Sequence, residues 1–316
     1  MKKIFIVAVI LLATFNQAFS QCACCAGAGS ALNTDNNNGA FTLKKKKLSI
    51  EAYGDYRTIM VDEEGGDHGA PAGVDSTVEE ETPLKSMLIN SFGIRYGITD
   101  KITISALLPY VILNTDKGSD NGLGDLILLS TFNLYQKRNF NLALSAGVEF
   151  PTGVKKGSSF DETTVVVGSG SFDPILSLAA SKKWNKLTLM GSALHRYTTK
   201  GFDNTTYSSV SLQNLLVSYN IKGHGTSCQS DSVCVKHNCN WSVSAGYYGE
   251  WLGQIQEEDK VDENSGYYLG FATLGTNLSF KKWSIPLTFS YPVFQHVNGD
   301  QNNAGLRFRM GIIKMF

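Results

Sequence analysis

Between residues 140 and 150 the chain places Phe140, Leu142, Leu144, Ala146, Val148 and Phe150 on one parity and Asn141, Ala143, Ser145, Gly147 and Glu149 on the other. Successive side chains of a strand point to opposite faces, so this segment has one greasy face and one small or polar face. The pattern recurs. Leu48, Ile50 and Ala52 alternate with Ser49, Glu51, Tyr53, Asp55 and Arg57; Phe92, Ile94 and Tyr96 with Ser91, Gly93 and Arg95; and Ile102, Ile104, Ala106, Leu108 and Tyr110 with Thr103 and Ser105. Further alternating segments at 122–136, 170–182, 186–198, 206–220, 241–253, 265–280, 283–294 and 302–316 bring the predicted strands to twelve.

Most of these segments are about ten residues long or more, enough for a tilted strand to cross a bilayer. Lipid offers no partner for an open sheet edge, so strands in a membrane must close on themselves, and an even number suits a bacterial barrel. The predicted fold is therefore all-β: a closed antiparallel transmembrane β-barrel of outer-membrane type with about twelve strands. The last segment, from Ala304 through Ile312, closes on the aromatic Phe316, as such barrels do. A soluble sandwich or barrel also alternates, but it would not carry an apolar outer face on nearly every strand.

Loop lengths give a separate check, because these barrels have short turns at one end and longer loops at the other. The connections at 99–100, 137–139, 183–185 and 281–282 are tight, whereas those at 61–83, 113–121, 152–169, 199–205, 254–264 and 295–301 are longer and rich in Gly, Asp, Asn, Ser and Thr. The exception is 221–240, a long connection on the tight side. Tyr110, Trp184, Trp241, Trp251 and Trp283 fall near predicted strand ends, where an aromatic girdle would sit.

At the amino terminus, Lys2-Lys3, the apolar run to Ala18 and the small-x-small site ending at Ser20 read as a secretory signal peptide. The expected organisation is residues 1–20 as signal peptide, 21–46 as a Cys-containing periplasmic segment and 47–316 as the barrel. The expected location is the outer membrane of a Gram-negative bacterium, with both termini periplasmic. Charged residues make up 18% of the chain and the formal net charge is zero. A nucleic-acid partner, which asks for a clustered basic surface, is not expected; the expected partners are outer-membrane lipid, a small-molecule solute and a periplasmic protein.

Two constellations could carry chemistry. Cys22, Cys24 and Cys25 precede the barrel, and His224, Cys228, Cys234, His237 and Cys239 crowd the long connection on the tight side. Sulfur and imidazole at that density suit Cu or Zn, while an oxidising compartment favours disulfides among the six cysteines. The spacing matches no zinc-finger template, and both readings stay open. By parity, Glu51, Asp55, Arg57, Arg95, Asp125, Glu149, Glu250, Arg307 and Arg309 face the lumen, where they either pair across it or line a solute path. The acidic run Asp62, Glu63, Glu64, Asp67, His68 and Glu79 to Glu81 reads as a solvated loop or a collector of hard cations.

No catalytic motif is present: there is no G-x-S-x-G, H-E-x-x-H or phosphate loop. Gly168-Ser-Gly170 is expected to open a strand without helix context, and Ser192 and His195 fall on opposite faces of theirs. The chain is not expected to be an enzyme.

Four pieces of sequence, Tyr96-Gly-Ile-Thr-Asp-Lys-Ile-Thr-Ile-Ser-Ala-Leu-Leu-Pro-Tyr110, Gly122-Leu-Gly-Asp-Leu-Ile-Leu128, Phe150-Pro-Thr-Gly153 and Gly168-Ser-Gly-Ser-Phe-Asp-Pro174, resemble in order and spacing the outer-membrane barrel family named for the MetA-pathway of phenol degradation. The resemblance implies a channel or transporter for small hydrophobic or aromatic compounds. The Cys-rich tail and inner loop depart from that family's pattern. Two other functions stay in view: a periplasm-facing metal-binding or metal-export component using the Cys and His clusters, and a structural or adhesive barrel working through its long loops.

Overall fold

The computed structural model describes residues 40–60, 84–115, 118–153, 167–202, 204–222, 239–258, 260–299 and 301–316. Their regular structure is entirely strand, in chain order β1 (Leu48–Met60), β2 (Leu84–Thr99), β3 (Ile102–Thr115), β4 (Gly118–Leu123), β5 (Leu126–Lys137), β6 (Phe140–Phe150), β7 (Asp173–Trp184), β8 (Leu187–Arg196), β9 (Thr205–Thr206), β10 (Val210–Lys222), β11 (Cys239–Leu252), β12 (Gln256–Glu257), β13 (Lys260–Val261), β14 (Tyr267–Phe280), β15 (Trp283–Val297) and β16 (Asn303–Met315). No helix among these residues is long and apolar enough to cross a membrane.

Each long strand pairs antiparallel with its sequence neighbours, and β1 pairs with β16 through Ile50↔Lys314 and Asp55↔Arg309. The first and last strands thus close the sheet into a barrel of twelve strands, with β4, β9, β12 and β13 outside that count. Closure leaves no edge with unpaired backbone groups.

The two faces sort as the period of two requires. On β1, Ser49, Glu51, Tyr53, Asp55 and Arg57 are buried inside, while Ile50 and Tyr56 are 45% and 42% exposed outside. Phe92 and Ile94 on β2, Leu176 and Leu178 on β7, Leu274 on β14 and Phe308 and Met310 on β16 continue the outer apolar band. Trp241 and Trp251 lie on the outer parity of β11, ten residues apart. At a rise of about 3.4 Å per residue and a tilt of about 40°, that separation spans roughly 26 Å, the height of the apolar band of an outer-membrane barrel.

Several boundaries differ from the expectation. β3 runs on to Thr115, past Tyr110, whose hydroxyl donates to Asn121 Oδ1 at 2.6 Å on β4. The strand expected at 122–136 is broken at Gly124 and Asp125, so that β4 pairs with the upper half of β3 and β5 with its lower half. Gly168-Ser-Gly170 does not open a strand: residues 167–171 form a buried loop, Phe172 is exposed and β7 begins at Asp173. Residues 207–209 stay outside β10, and β9, β12 and β13 form a small separate sheet at the long-loop end.

The tight-turn end carries the start of the described chain. Lys46 N and Gly97 N donate to Gly97 O and Lys47 O respectively, and Leu43 N donates to the inward hydroxyl of Thr103 at 2.7 Å. Arg95 donates to Phe41 O, and Ala40 is fully buried. Residues 40–43 therefore fold into the base of the barrel.

Candidate functional site: the lumen

Along each strand the inward residues change character from one end to the other. Toward the tight turns they are mostly small and polar, as with Thr103, Thr131, Asn141, Ser181, Ser218, Ser242 and Asn277. Toward the long loops large apolar residues join charged ones: Ile89, Val111, Ile127, Ile175, Leu194, Leu212, Leu269 and Phe271 form one buried cluster with Tyr53 and Tyr248. A water-filled porin has a polar interior. Here the long-loop half holds an apolar cluster packed among buried charges such as Asp55, Arg57, Glu149, Arg196 and Glu250, and side chains fill it there.

A charged belt lies within the long-loop half on the β11, β16 and β1 side, where Asp55 pairs in the wall with Ile89, and Glu250 with Leu212 and Leu269. Arg309 donates to Asp55 Oδ2 at 3.1 Å, Arg57 donates to the same oxygen at 3.0 Å, and Arg57 also approaches Glu250 at 3.7 Å. Arg307 donates to Glu250 at 2.6 Å, and Tyr248 and Tyr267 donate to the same carboxylate at 2.8 and 2.6 Å. The guanidinium of Arg307 stacks 4.2 Å from the Phe271 ring centroid. β14 and β15 lie between β11 and β16 in the wall, so the Glu250–Arg307 pair links strands that are not neighbours. Buried charges persist only when paired and hydrogen-bonded, and here each carboxylate has several donors. Lower in the barrel, Arg95 and Glu51 pair at 3.6 Å, and Tyr53 donates to Glu51.

A second cluster forms at the long-loop end of β5 to β8. Asp125 accepts from Gly153 N at 2.7 Å, Ser169 N at 2.6 Å and Ser169 Oγ at 2.8 Å. Asp173 accepts from Ser171 Oγ at 2.7 Å and Thr199 N at 2.9 Å, and Arg196 makes a two-pronged contact with Glu149 at 2.9 and 3.0 Å. Gly153 and Gly168 meet here backbone to backbone, where a Cβ on either would collide with the other residue or with Asp125. Three separated pieces of sequence, 122–125, 151–153 and 168–174, thus form one knot that holds the roots of the outer loops.

Of the predicted lumen residues, Asp55, Arg57, Glu250, Arg307 and Arg309 come together in the belt, Glu51 and Arg95 pair below it, and Glu149 and Asp125 belong to the knot. Arg196, Asp173, Ser169, Tyr248 and Tyr267 were not singled out from sequence. Arg196 shares the parity of Ser192 and Leu194 and could have been found by it. Ser192 faces inward, whereas His195 faces outward with Nδ1 2.8 Å from Ser211 Oγ. Cys22, Cys24, Cys25, His224, Cys228, Cys234 and His237, and the acidic run from Asp62 to Glu81, lie outside the described residues. Cys239 begins β11 as an exposed thiol without a sulfur partner among the described residues. No group of His, Cys, Asp and Glu there is arranged to hold a metal ion.

Residues 33–293 match the family described as the MetA-pathway of phenol degradation. The chain belongs to that family. Among solved structures, the COG4313 outer membrane channel from Pseudomonas putida F1 is similar over 88% of this chain and 98% of that one, with a TM-score of 0.60 at 16% identity, a likeness of fold. The CymD monoaromatic hydrocarbon channel matches 87% of this chain and 89% of its own at a TM-score of 0.44 and 9% identity. No curated protein matches. In this structure the four motifs shape turns, the β4–β5 break and the loop knot rather than a reaction centre.

Proposed function

We propose that this protein is an outer-membrane channel that passes a small solute of low polarity, an aromatic compound being the best fit. Membership of the phenol-degradation family supports that reading, but one observation of the chain itself carries it: the inward face of the long-loop half carries a large contiguous cluster of aliphatic and aromatic side chains. An apolar solute gains by leaving water for such a lining, and a phenolic hydroxyl or an aromatic ring finds hydrogen-bonding and stacking partners in the arginine–tyrosine belt. Below it, the Ser, Thr and Asn half returns the solute to a wetted path. In this conformation side chains fill the apolar half, so passage requires them to move apart.

In this reading the long loops face outward and the tight turns, both barrel termini and Cys239 face the periplasm, with residues 1–20 removed as a signal peptide and 21–46 a Cys-containing periplasmic segment. The test is conductance of the full chain in planar bilayers, with phenol or glucose added to the bath. Small steps that phenol reduces and glucose does not are expected. Electrical silence, together with phenol uptake no faster in cells expressing the protein than in cells lacking it, would exclude the channel.

A further inference from the structure

The two rims of the barrel differ in charge. At the tight-turn rim the run 44–47 is four exposed lysines, and Lys101, Lys137, Arg138, Lys281 and Lys282 are exposed beside the turns. Asp100 is the sole acidic residue among the described residues of this rim, and its carboxylate is taken by Lys45 N at 2.9 Å. At the opposite rim exposed residues of both signs stand together, Glu257, Glu258 and Glu263 with Lys85, Lys200 and Lys260. A formal net charge of zero conceals the basic rim.

The placement of the basic groups says what they meet. Lys182 lies 5.0 Å from the Trp184 ring centroid, Lys186 lies 6.0 Å from that of Tyr219, and Lys314 lies 4.8 Å from those of both Trp283 and Phe316. Phe140 is flanked in register by Lys137 and Lys182. Trp184, Tyr219 and Trp283 stand on the outer wall, 48%, 43% and 37% exposed, at the lower limit of the apolar band. Such aromatic girdles mark the height at which hydrocarbon gives way to head groups. Lysines lying over those rings run their stems along the wall and present the ammonium to the head-group layer, not to the lumen mouth.

We propose that the tight-turn rim is a collar that binds the phosphate-bearing head groups of anionic phospholipids in the adjoining leaflet. The choice of phospholipid rests on the orientation proposed above, with this rim on the periplasmic side. Each basic residue close to an anionic surface strengthens binding about fivefold, and a ring of them holds a lipid annulus and sets the height of the barrel in the membrane. The aromatic contacts argue against a soluble acidic partner, which would meet lysines projecting away from the wall.

The test places the full chain in nanodiscs of equimolar phosphatidylglycerol and phosphatidylcholine and counts the lipids retained on release, by native mass spectrometry. Retention of phosphatidylglycerol at least tenfold over phosphatidylcholine is expected, falling toward parity in 1 M salt. Lys182→Gln combined with Lys186→Gln and Lys314→Gln should lower the preference, whereas the same three changes to Arg should keep it, with conductance unchanged in both. Equal retention of the two lipids, or a preference unmoved by salt, would overturn the collar. In a second set of nanodiscs with lipid A in place of phosphatidylcholine, stronger retention of lipid A than of phosphatidylglycerol would overturn the phospholipid assignment and the orientation together, while leaving the conductance test of the channel untouched.

Discussion

Glu250 concentrates more of the interior's electrostatics than any other side chain in the belt. Arg307, Arg57, Tyr248 and Tyr267 all converge on its fully buried carboxylate. Replacing it with Gln leaves Arg307 without the carboxylate that holds it and Arg57 with Asp55 alone, a type of loss that costs about 3–5 kcal/mol when the site is buried. The double change Glu250→Gln with Arg307→Gln removes one charge of each sign and should destabilise less than the sum of the two single changes, by about 1–3 kcal/mol. Reversible guanidinium unfolding in lipid measures all three. Strictly additive losses would mean that the two residues act independently, against the 2.6 Å contact between them.

At the scale of the element, the strands were legible because a membrane barrel leaves few choices: the outer parity must be apolar over some ten residues, and the turns between must be polar. That is why the number of barrel strands could be counted from alternation. What it could not show was how strands end. β3 overshoots Tyr110 because β4 turns back to pair with it above the apolar band, where the period carries no constraint from lipid. The β4–β5 break follows from long-range hydrogen bonds to Asp125, invisible to any local pattern. Charge partners were hidden for the same reason: parity says which side chains point inward, but only closure of the ring brings Arg307 of β16 to Glu250 of β11. Close approach between strands adds a further constraint. A Cβ on Gly246 would run into the backbone carbonyl of Leu215 on β10, whereas one on Gly270 would meet the hydroxyl end of the Tyr247 ring at 2.6 Å, a group held by Tyr268 on the outer face. Gly246→Ala should therefore cost more than Gly270→Ala, about 2–3 kcal/mol against about 1 kcal/mol, because a strand must shift in one case and a ring can swing aside in the other. Unfolding midpoints in the same lipid compare them, and equal costs would show that the ring is as fixed as the backbone.

For the whole molecule, taken as the proposed channel, the lining decides what can pass and with what charge. The apolar cluster admits a solute without charge preference, and the polar half offers hydrogen bonds to either sign, so selection falls to the charged belt set among the apolar residues. There Arg57, Arg307 and Arg309 stand against Asp55 and Glu250, an excess of positive charge in the belt. The pairs Arg95–Glu51 and Arg196–Glu149 are balanced, and Asp125 and Asp173 direct their charge at backbone amides of the loop roots. A fixed positive charge beside a narrow, weakly polarisable passage favours anions. In a gradient of potassium chloride the reversal potential should report chloride preferred to potassium by about two- to fivefold. Arg309→Gln balances the belt and should bring the ratio toward unity. This change leaves the Arg307–Glu250 contact in place, so a loss of selectivity in a barrel that still folds and conducts locates the filter at the belt. A ratio that stays anion-selective in the variant would move the filter to the tight-turn rim, whose lysines then govern ion flow as well as the lipid around them.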